Sequence, residues 1–390
     1  MSDLFEYWQL LLLPVFFALG WVAARIDIRH VVQESRALPR SYFQGLNFLL
    51  NEQPDKAIDS FLEVAKVDPQ TIELHFALGN LFRRRGETER AIRMHQNLID
   101  RDDLPENFRL QALAELGQDY LKAGLLDRAE DIFEKLRASG REEEAKRNLL
   151  EIYQVEKDWQ KAISVAEELP DVASQRDIAE YFCELAAAEI MRSRPDEARG
   201  YLETALLKNR KCVRANLLHG DLLVQGGDPE GAIALWQRIE QQDPAYLALV
   251  AQRLADAYRR LEKLPEGIAL LKGYLEQYPS LDMLDVVSQL VLESEGPEAV
   301  YRLVRDEVQR NPTLLGLERL MVTRLPLASP EVRPDIELAK TIVHGYTVRL
   351  SRYRCGSCGF KARQHYWRCP ACGGWETYSP KRSEEFELTP

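Results

Sequence analysis

Small and apolar residues return along the chain at a near-constant interval. Ala57, Ala91, Ala129, Ala162, Ala198, Ala232, Gly267 and Ala299 each stand within an amphipathic stretch, separated by 34, 38, 33, 36, 34, 35 and 32 residues. Twelve residues before six of them stands another small residue: Gly45, Gly79, Gly117, Ala186, Gly220 or Ala255. Nine before is usually a bulky apolar residue, namely Phe48, Phe82, Tyr120, Tyr153, Leu223 or Tyr258. Four after comes Phe61, Phe133, Leu202, Trp236, Leu271 or Leu303. Apolar positions three and four apart predict helices. Gly86, Gly124 and Gly226–Gly227 mark turns within pairs of helices. Pro69, Pro244 and Pro279 end second helices, because proline cannot continue one. Each interval therefore predicts two helices, the small residue of the first letting the second approach closely.

A period of about 34 residues is that of the tetratricopeptide repeat. Three units depart from the pattern, with Leu150 and Val287 at the small position and Glu189 at the bulky one. Stacked repeats bury their cores between neighbours and leave a long surface lined by first helices, which suits segments of other proteins. The chain has no phosphate-cradling glycine loop, no HExxH and no GxSxG, so it is not expected to be an enzyme. His75, His95 and His219 fall on repeat positions, where packing is the expected role. Arg83–Arg84–Arg85 closes a first helix and reads as a solvated end facing the helix dipole.

The N-terminus follows a different pattern. Leu10 to Ala24 reads LLLLPVFFALGWVAA without a charge, and extending it back to Leu4 gives a run near the minimum for a spanning helix. Tyr7, Trp8 and Trp21 sit near its ends, where headgroups favour aromatic rings. Arg25, Arg29 and His30 follow it while Asp3 and Glu6 precede it, which places the rest of the chain in the cytoplasm. A cleaved signal peptide would carry the opposite charge order. A single-pass anchor is the expectation.

The net charge of −11 argues against a general nucleic-acid binder. Of six cysteines, Cys183 and Cys212 stand alone, and the other four lie within eighteen residues as Cys355-x-x-Cys358 and Cys369-x-x-Cys372. Two such pairs bring four thiolates within tetrahedral reach of one ion. Gly359 and Gly373 directly follow the second cysteine of each pair, where a tight turn must aim backbone N–H groups at sulfur. A redox pair would need a βαβ setting that the pattern lacks. One structural metal ion is therefore expected, iron or zinc, since both accept four thiolates. A site of four thiolates has no open position for a catalytic water.

The segment around the cysteines has no acidic residue from Arg349 to Trp375. Arg349, Arg352, Arg354, Arg363, Arg368, Trp367 and Trp375 are its candidate partner-binding residues. The basic face could instead dock on the acidic repeats or meet nucleic acid, and the acidic chain and the tether argue against nucleic acid.

The order of anchor, about eight or nine repeats and terminal four-cysteine knuckle resembles the lipopolysaccharide assembly protein B family of Gram-negative bacteria. The segments carrying the resemblance are NFLLNEQPDKAIDSFLEV, LGNLFRRRGETERAIRMHQ, AGLLDRAEDIF, YRCGSCGF and YWRCPACGGW. It implies an all-α superhelical solenoid with an N-terminal transmembrane helix and a small rubredoxin-like, zinc-ribbon metal domain. The divisions expected are an anchor at 1–24, a linker at 25–37, repeats at 38–346, the metal knuckle at 347–380 and a tail at 381–390. It further implies an adaptor at the inner membrane that promotes degradation of the deacetylase LpxC by the protease FtsH. The alternative is a scaffold that gathers lipopolysaccharide-assembly enzymes without directing proteolysis.

Overall fold

The computed structural model describes residues 17, 21, 40–51, 53–67, 72–350 and 353–382. The expected anchor lies outside the described residues apart from Phe17 and Trp21. Among the described residues no helix is long and apolar enough to cross a membrane. The chain divides into two compact units, Met1–Ile152 and Tyr153–Pro390.

In the first unit α1 (Arg40–Leu50), α2 (Pro54–Val67), α3 (Ile72–Arg84), α4 (Thr88–Ile99), α5 (Glu106–Lys122) and α6 (Leu126–Arg137) pack in sequence. The helix α7 (Glu142–Glu156) follows. The repeat positions explain the pairing. A Cβ added at Gly45 would stand 2.5 Å from the Phe61 ring, and one at Gly117 would stand 2.7 Å from Phe133. Only a residue without a side chain lets these helices meet at that distance. Ala57, Ala91 and Ala129 are fully buried at the crossings. Each phenylalanine so enclosed contributes roughly 2–3 kcal/mol.

The second pair has a histidine four residues after Ala91, where other repeats carry Phe, Leu or Trp. His95 is buried against Gly79, as its repeat position predicts. Its Nδ1 lies 2.5 Å from Oδ2 of Asp119, which is also fully buried. Arg83 donates to Asp119 at 2.8 Å, to Asn80 at 2.6 Å and to Glu115 at 2.5 Å. The expectation for Arg83 is thereby corrected: it is not a solvated helix end but the cation that compensates a buried carboxylate.

The second unit holds α8 (Trp159–Glu167), α9 (Gln175–Met191), α10 (Pro195–Lys208), α11 (Val213–Gln225), α12 (Pro229–Gln237), α13 (Ile239–Gln242), α14 (Leu247–Arg260), α15 (Leu264–Gln277), α16 (Leu281–Glu295), α17 (Pro297–Arg310), α18 (Leu314–Arg324) and α19 (Arg333–Leu350). Several of these helices start on signals visible in the chain. Ser174 and Asp177 form a reciprocal capping box for α9. Pro195, Pro229, Pro265 and Pro297 occupy first turns, where a missing N–H costs nothing. Glu189, at the bulky position of its repeat, is held by Arg192 at 2.7 Å and Arg194 at 3.5 Å. In the eighth repeat the register slips by one residue. Val300 and Val304 are buried there, whereas Ala299 and Leu303 are only half-buried. The expected core positions are wrong at this unit, because α17 begins directly after Gly296, which has φ +86°.

The last helix runs to Leu350, beyond the expected end of the repeats. The chain then forms a two-stranded antiparallel sheet of β1 (Tyr353–Arg354) and β2 (Lys361–Ala362). Tyr353 stands opposite Ala362 and Arg354 opposite Lys361.

Candidate metal centre

Each Cys-x-x-Cys pair folds into the same small loop. Cys355 N–H donates to the Phe360 carbonyl and Gly359 N–H to the Cys355 carbonyl. In the second loop Cys369 N–H donates to Gly374 and Gly373 N–H to Cys369. Gly359 and Gly373 adopt φ of +76° and +71°, the left-handed conformation that the expected turn demands. The two loops face each other. Cys355 Sγ lies 3.8 Å from Cys372 Sγ, and Cys358 Sγ lies 3.7 Å from Cys369 Sγ. All four ligand atoms fall within 4.8 Å of one another. A tetrahedron with metal–sulfur bonds of about 2.3 Å has edges of about 3.8 Å, so the sulfurs already sit where one ion would hold them.

The electrostatics agree. Burial raises the Cys355 thiol, but the Thr377 hydroxyl and the N–H groups of Cys358 and Ser357 outweigh it and hold it down to about 6. For Cys358 the Phe360 N–H acts to lower the pKa, yet burial and the neighbouring sulfurs push it up to about 12. Four thiolates at this separation need a cation among them. The site takes one structural metal ion through Cys355, Cys358, Cys369 and Cys372.

The knuckle is docked on its own unit, against the end of α7, the start of α8, the N-terminal halves of α9 and α11 and the starts of α14 and α16. Trp375 is buried and meets Trp159 edge-on at 5.8 Å and Tyr181 at 5.9 Å. Trp367 stacks on Tyr246. Arg368 donates to the Gln154 carbonyl at 3.0 Å and to its side chain at 3.1 Å. Tyr353 donates to Asp282 at 2.7 Å, and Arg382 pairs with the same carboxylate at 2.7 Å. Glu376 pairs with Arg176. Beneath the two indoles, Arg214 bridges Glu180 at 3.1 Å and Glu184 at 2.8 Å, with its guanidinium within 6.0 Å of both rings. Glu180 is fully buried. Burial pushes its carboxyl up to about 7 despite Arg214, with Glu376 adding to the rise.

Three candidate partner residues, Arg368, Trp367 and Trp375, thus face the repeats, while Arg354 and Arg363 are exposed. Arg352 and the side chain of Arg349 lie outside the described residues. Sequence reasoning missed the receiving surface of Trp159, Tyr181, Glu180, Arg214, Tyr246 and Asp282. Glu180 and Arg214 occupy the repeat position that Glu73 and Glu144 hold exposed in other units, so their charges gave no signal of burial. Cys183 and Cys212, read as isolated, have sulfurs 3.7 Å apart beside Glu180. Burial raises the Cys183 thiol and Arg214 already neutralises Glu180, so that group is a poor cation site.

Comparison with known proteins agrees with this construction. Residues 353–380 match a family described as a rubredoxin metal binding domain, and residues 74–106 and 184–246 match tetratricopeptide repeat families. The chain is 36% identical to lipopolysaccharide assembly protein B of Escherichia coli strain K12, over 95% of this chain and 97% of that protein. It is 31% identical to lipopolysaccharide assembly protein B of Haemophilus influenzae, over 96% and 98%. Similarity of this extent, through repeats and knuckle alike, shows that the chain belongs to the lipopolysaccharide assembly protein B family.

Proposed function

We propose that the chain is a non-enzymatic adaptor at the cytoplasmic face of the inner membrane, which restrains lipopolysaccharide synthesis by bringing the deacetylase LpxC to the protease FtsH. The observation that carries this reading is the match along 95% of the chain to a protein named for lipopolysaccharide assembly. Repeat pairs offer surfaces for segments of other proteins. The closed four-thiolate site leaves no position for a catalytic water. The apolar run Leu10–Ala24, followed by Arg25 and Arg29, supplies the tether that a membrane partner requires. Depleting the protein and following the half-life of LpxC tests the proposal. A longer half-life is expected, and an unchanged one sinks it.

A second reading is a scaffold that gathers biosynthetic enzymes without directing proteolysis. The word assembly in the relatives' name favours it. An unchanged LpxC half-life, with loss of co-purifying synthetic enzymes on depletion, would select it.

A further inference from the structure

A cavity of about 300 Å³ opens where the start of α16, the end of α17 and the start of α18 converge. Leu281, Leu284 and Val308 give it an apolar wall. Three polar groups border it, and each has unused capacity. Ser280 is the N-cap of α16, a position whose hydroxyl ordinarily accepts from the first turn, but here it makes no cap bond. Its Oγ is buried without a partner, and the residue is 8% exposed. Glu307 is 5% exposed. Its Oε1 accepts from Asn311 at 2.8 Å, whereas its Oε2 makes no hydrogen bond. Arg310 Nη2, 3.3 Å from Oε2, is in ion-pair reach without hydrogen-bond geometry. Lys381 stands at the rim and forms no ion pair among the described residues. It and Ser280 also line an adjoining cavity of about 250 Å³. Buried polar atoms without hydrogen bonds are uncommon in folded proteins; Ser280 Oγ has no partner and Glu307 Oε2 only an ion pair, so both keep capacity for a ligand in one cavity wall.

The three groups define what that ligand is. Ser280 Oγ–H and the Lys381 ammonium suit a carboxylate. Glu307 Oε2 is an acceptor that needs an N–H. The leucines and Val308 need a branched apolar side chain beside both. We propose that this cavity takes the free C-terminal end of a partner protein that finishes in an apolar residue. The carboxylate meets Ser280 and Lys381, the last peptide N–H meets Glu307, and the side chain fills the apolar wall. The inference rests on the reading of the chain as a protein-binding adaptor and adds where a client's end is held. An internal segment lacks the carboxylate, and a fatty acid lacks the N–H.

The test is fluorescence polarisation of the full chain with N-terminally labelled hexapeptides ending in Leu, Val or Phe. Free-acid peptides should bind, and the corresponding amides should bind about tenfold more weakly, the effect of losing a charge-assisted hydrogen bond. Lys381→Glu should weaken the acids by tenfold or more and leave the amides unchanged. Glu307→Gln should weaken both severalfold. The proposal is overturned if no peptide binds at 1 mM, if acid and amide bind alike, or if Lys381→Glu has no effect. It is overturned equally if decanoate competes as well as peptide. It also fails if binding appears only after removal of residues 383–390, since the chain's own segment would then be the occupant. None of these outcomes bears on the half-life of LpxC, so the adaptor reading stands or falls separately.

Discussion

The indole of Trp367 lies parallel to the ring of Tyr246, with centroids 5.4 Å apart and 6° between the planes. One ring belongs to the metal knuckle and the other to the turn that opens α14. Together with Trp375 against Trp159 and Tyr181, the contact makes the knuckle a packed part of its unit. Basic and aromatic residues that suit a partner surface in sequence are here largely spent on the chain itself.

Replacing Trp375 with Ala should therefore destabilise the second unit by about 3–5 kcal/mol, the usual cost of truncating a buried tryptophan. Metal content should stay at one ion per chain, because Trp375 is not a ligand. Hydrogen exchange should quicken in the first turns of α9 and α11. An unchanged melting temperature would mean that the docking contributes little.

His365 provides a pH dependence. It sits among Tyr246, Trp367, Tyr353 and Tyr378, and its Nε2 lies 3.3 Å from the Tyr378 carbonyl. Burial depresses its pKa to about 4, with Arg214 adding to the fall and the Tyr378 carbonyl opposing it. The unfolded imidazole takes up a proton near 6.5, while the folded one stays neutral down to about 4. The unfolded state thus binds more protons in that window, and stability falls as pH drops through it. At pH 5 the loss is at most about 2 kcal/mol relative to pH 7.5. Thermal melts of wild type and His365→Asn between pH 7.5 and 5 check this. The variant should be less stable at neutral pH and should lose less on acidification, and parallel curves would refute the assignment.

The period of the repeats was legible because close helix approach demands small residues at fixed positions, and Gly45, Gly117 and Ala57 meet that demand. The metal site was legible because Cys-x-x-Cys-Gly is a local solution to one geometric problem. Docking on the repeats was one reading of the basic segment, but the residues that receive it were not legible. The docking depends on Trp159, Tyr246 and Asp282, far apart in sequence and each ordinary within its own repeat. The slip at Val300 was hidden for a related reason: a helix that starts at Gly296–Pro297 shifts its buried face by one residue without changing composition.

Arg83 can be tested directly. Asp119 is fully buried and relies on Arg83 and His95. Replacing Arg83 with Met keeps most of the aliphatic stem but removes the cation, leaving the carboxylate only its contact with His95. Breaking a buried pair from one side costs about 3–5 kcal/mol. Arg84→Met, at an exposed position, should cost less than about 0.5 kcal/mol. Denaturant unfolding of both variants decides the matter, and equal effects would restore the solvated-end description of Arg83.

Removing the metal is the most searching test of the architecture. In Cys355→Ser/Cys358→Ser the metal content should fall from one ion to none. Structural four-ligand sites contribute on the order of 10 kcal/mol or more to folding a short module, so the knuckle should unfold. Trp367 and Trp375 would then leave Tyr246, Trp159 and Tyr181, and tryptophan emission should shift to the red. Helicity should stay nearly constant, because the core around Trp236, Leu254, Leu271 and Leu284 lies between helices. The melting transition of the second unit should nevertheless drop, since Glu180 and Arg214 would lose their aromatic cover. The core of the first unit, around Phe61, Leu78 and Phe82, includes no knuckle residue, so its transition should not move. Full complementation in cells by the metal-free variant would show that the docked knuckle is dispensable. Loss of complementation with helicity intact would show that what the repeats present depends on the knuckle seated against them.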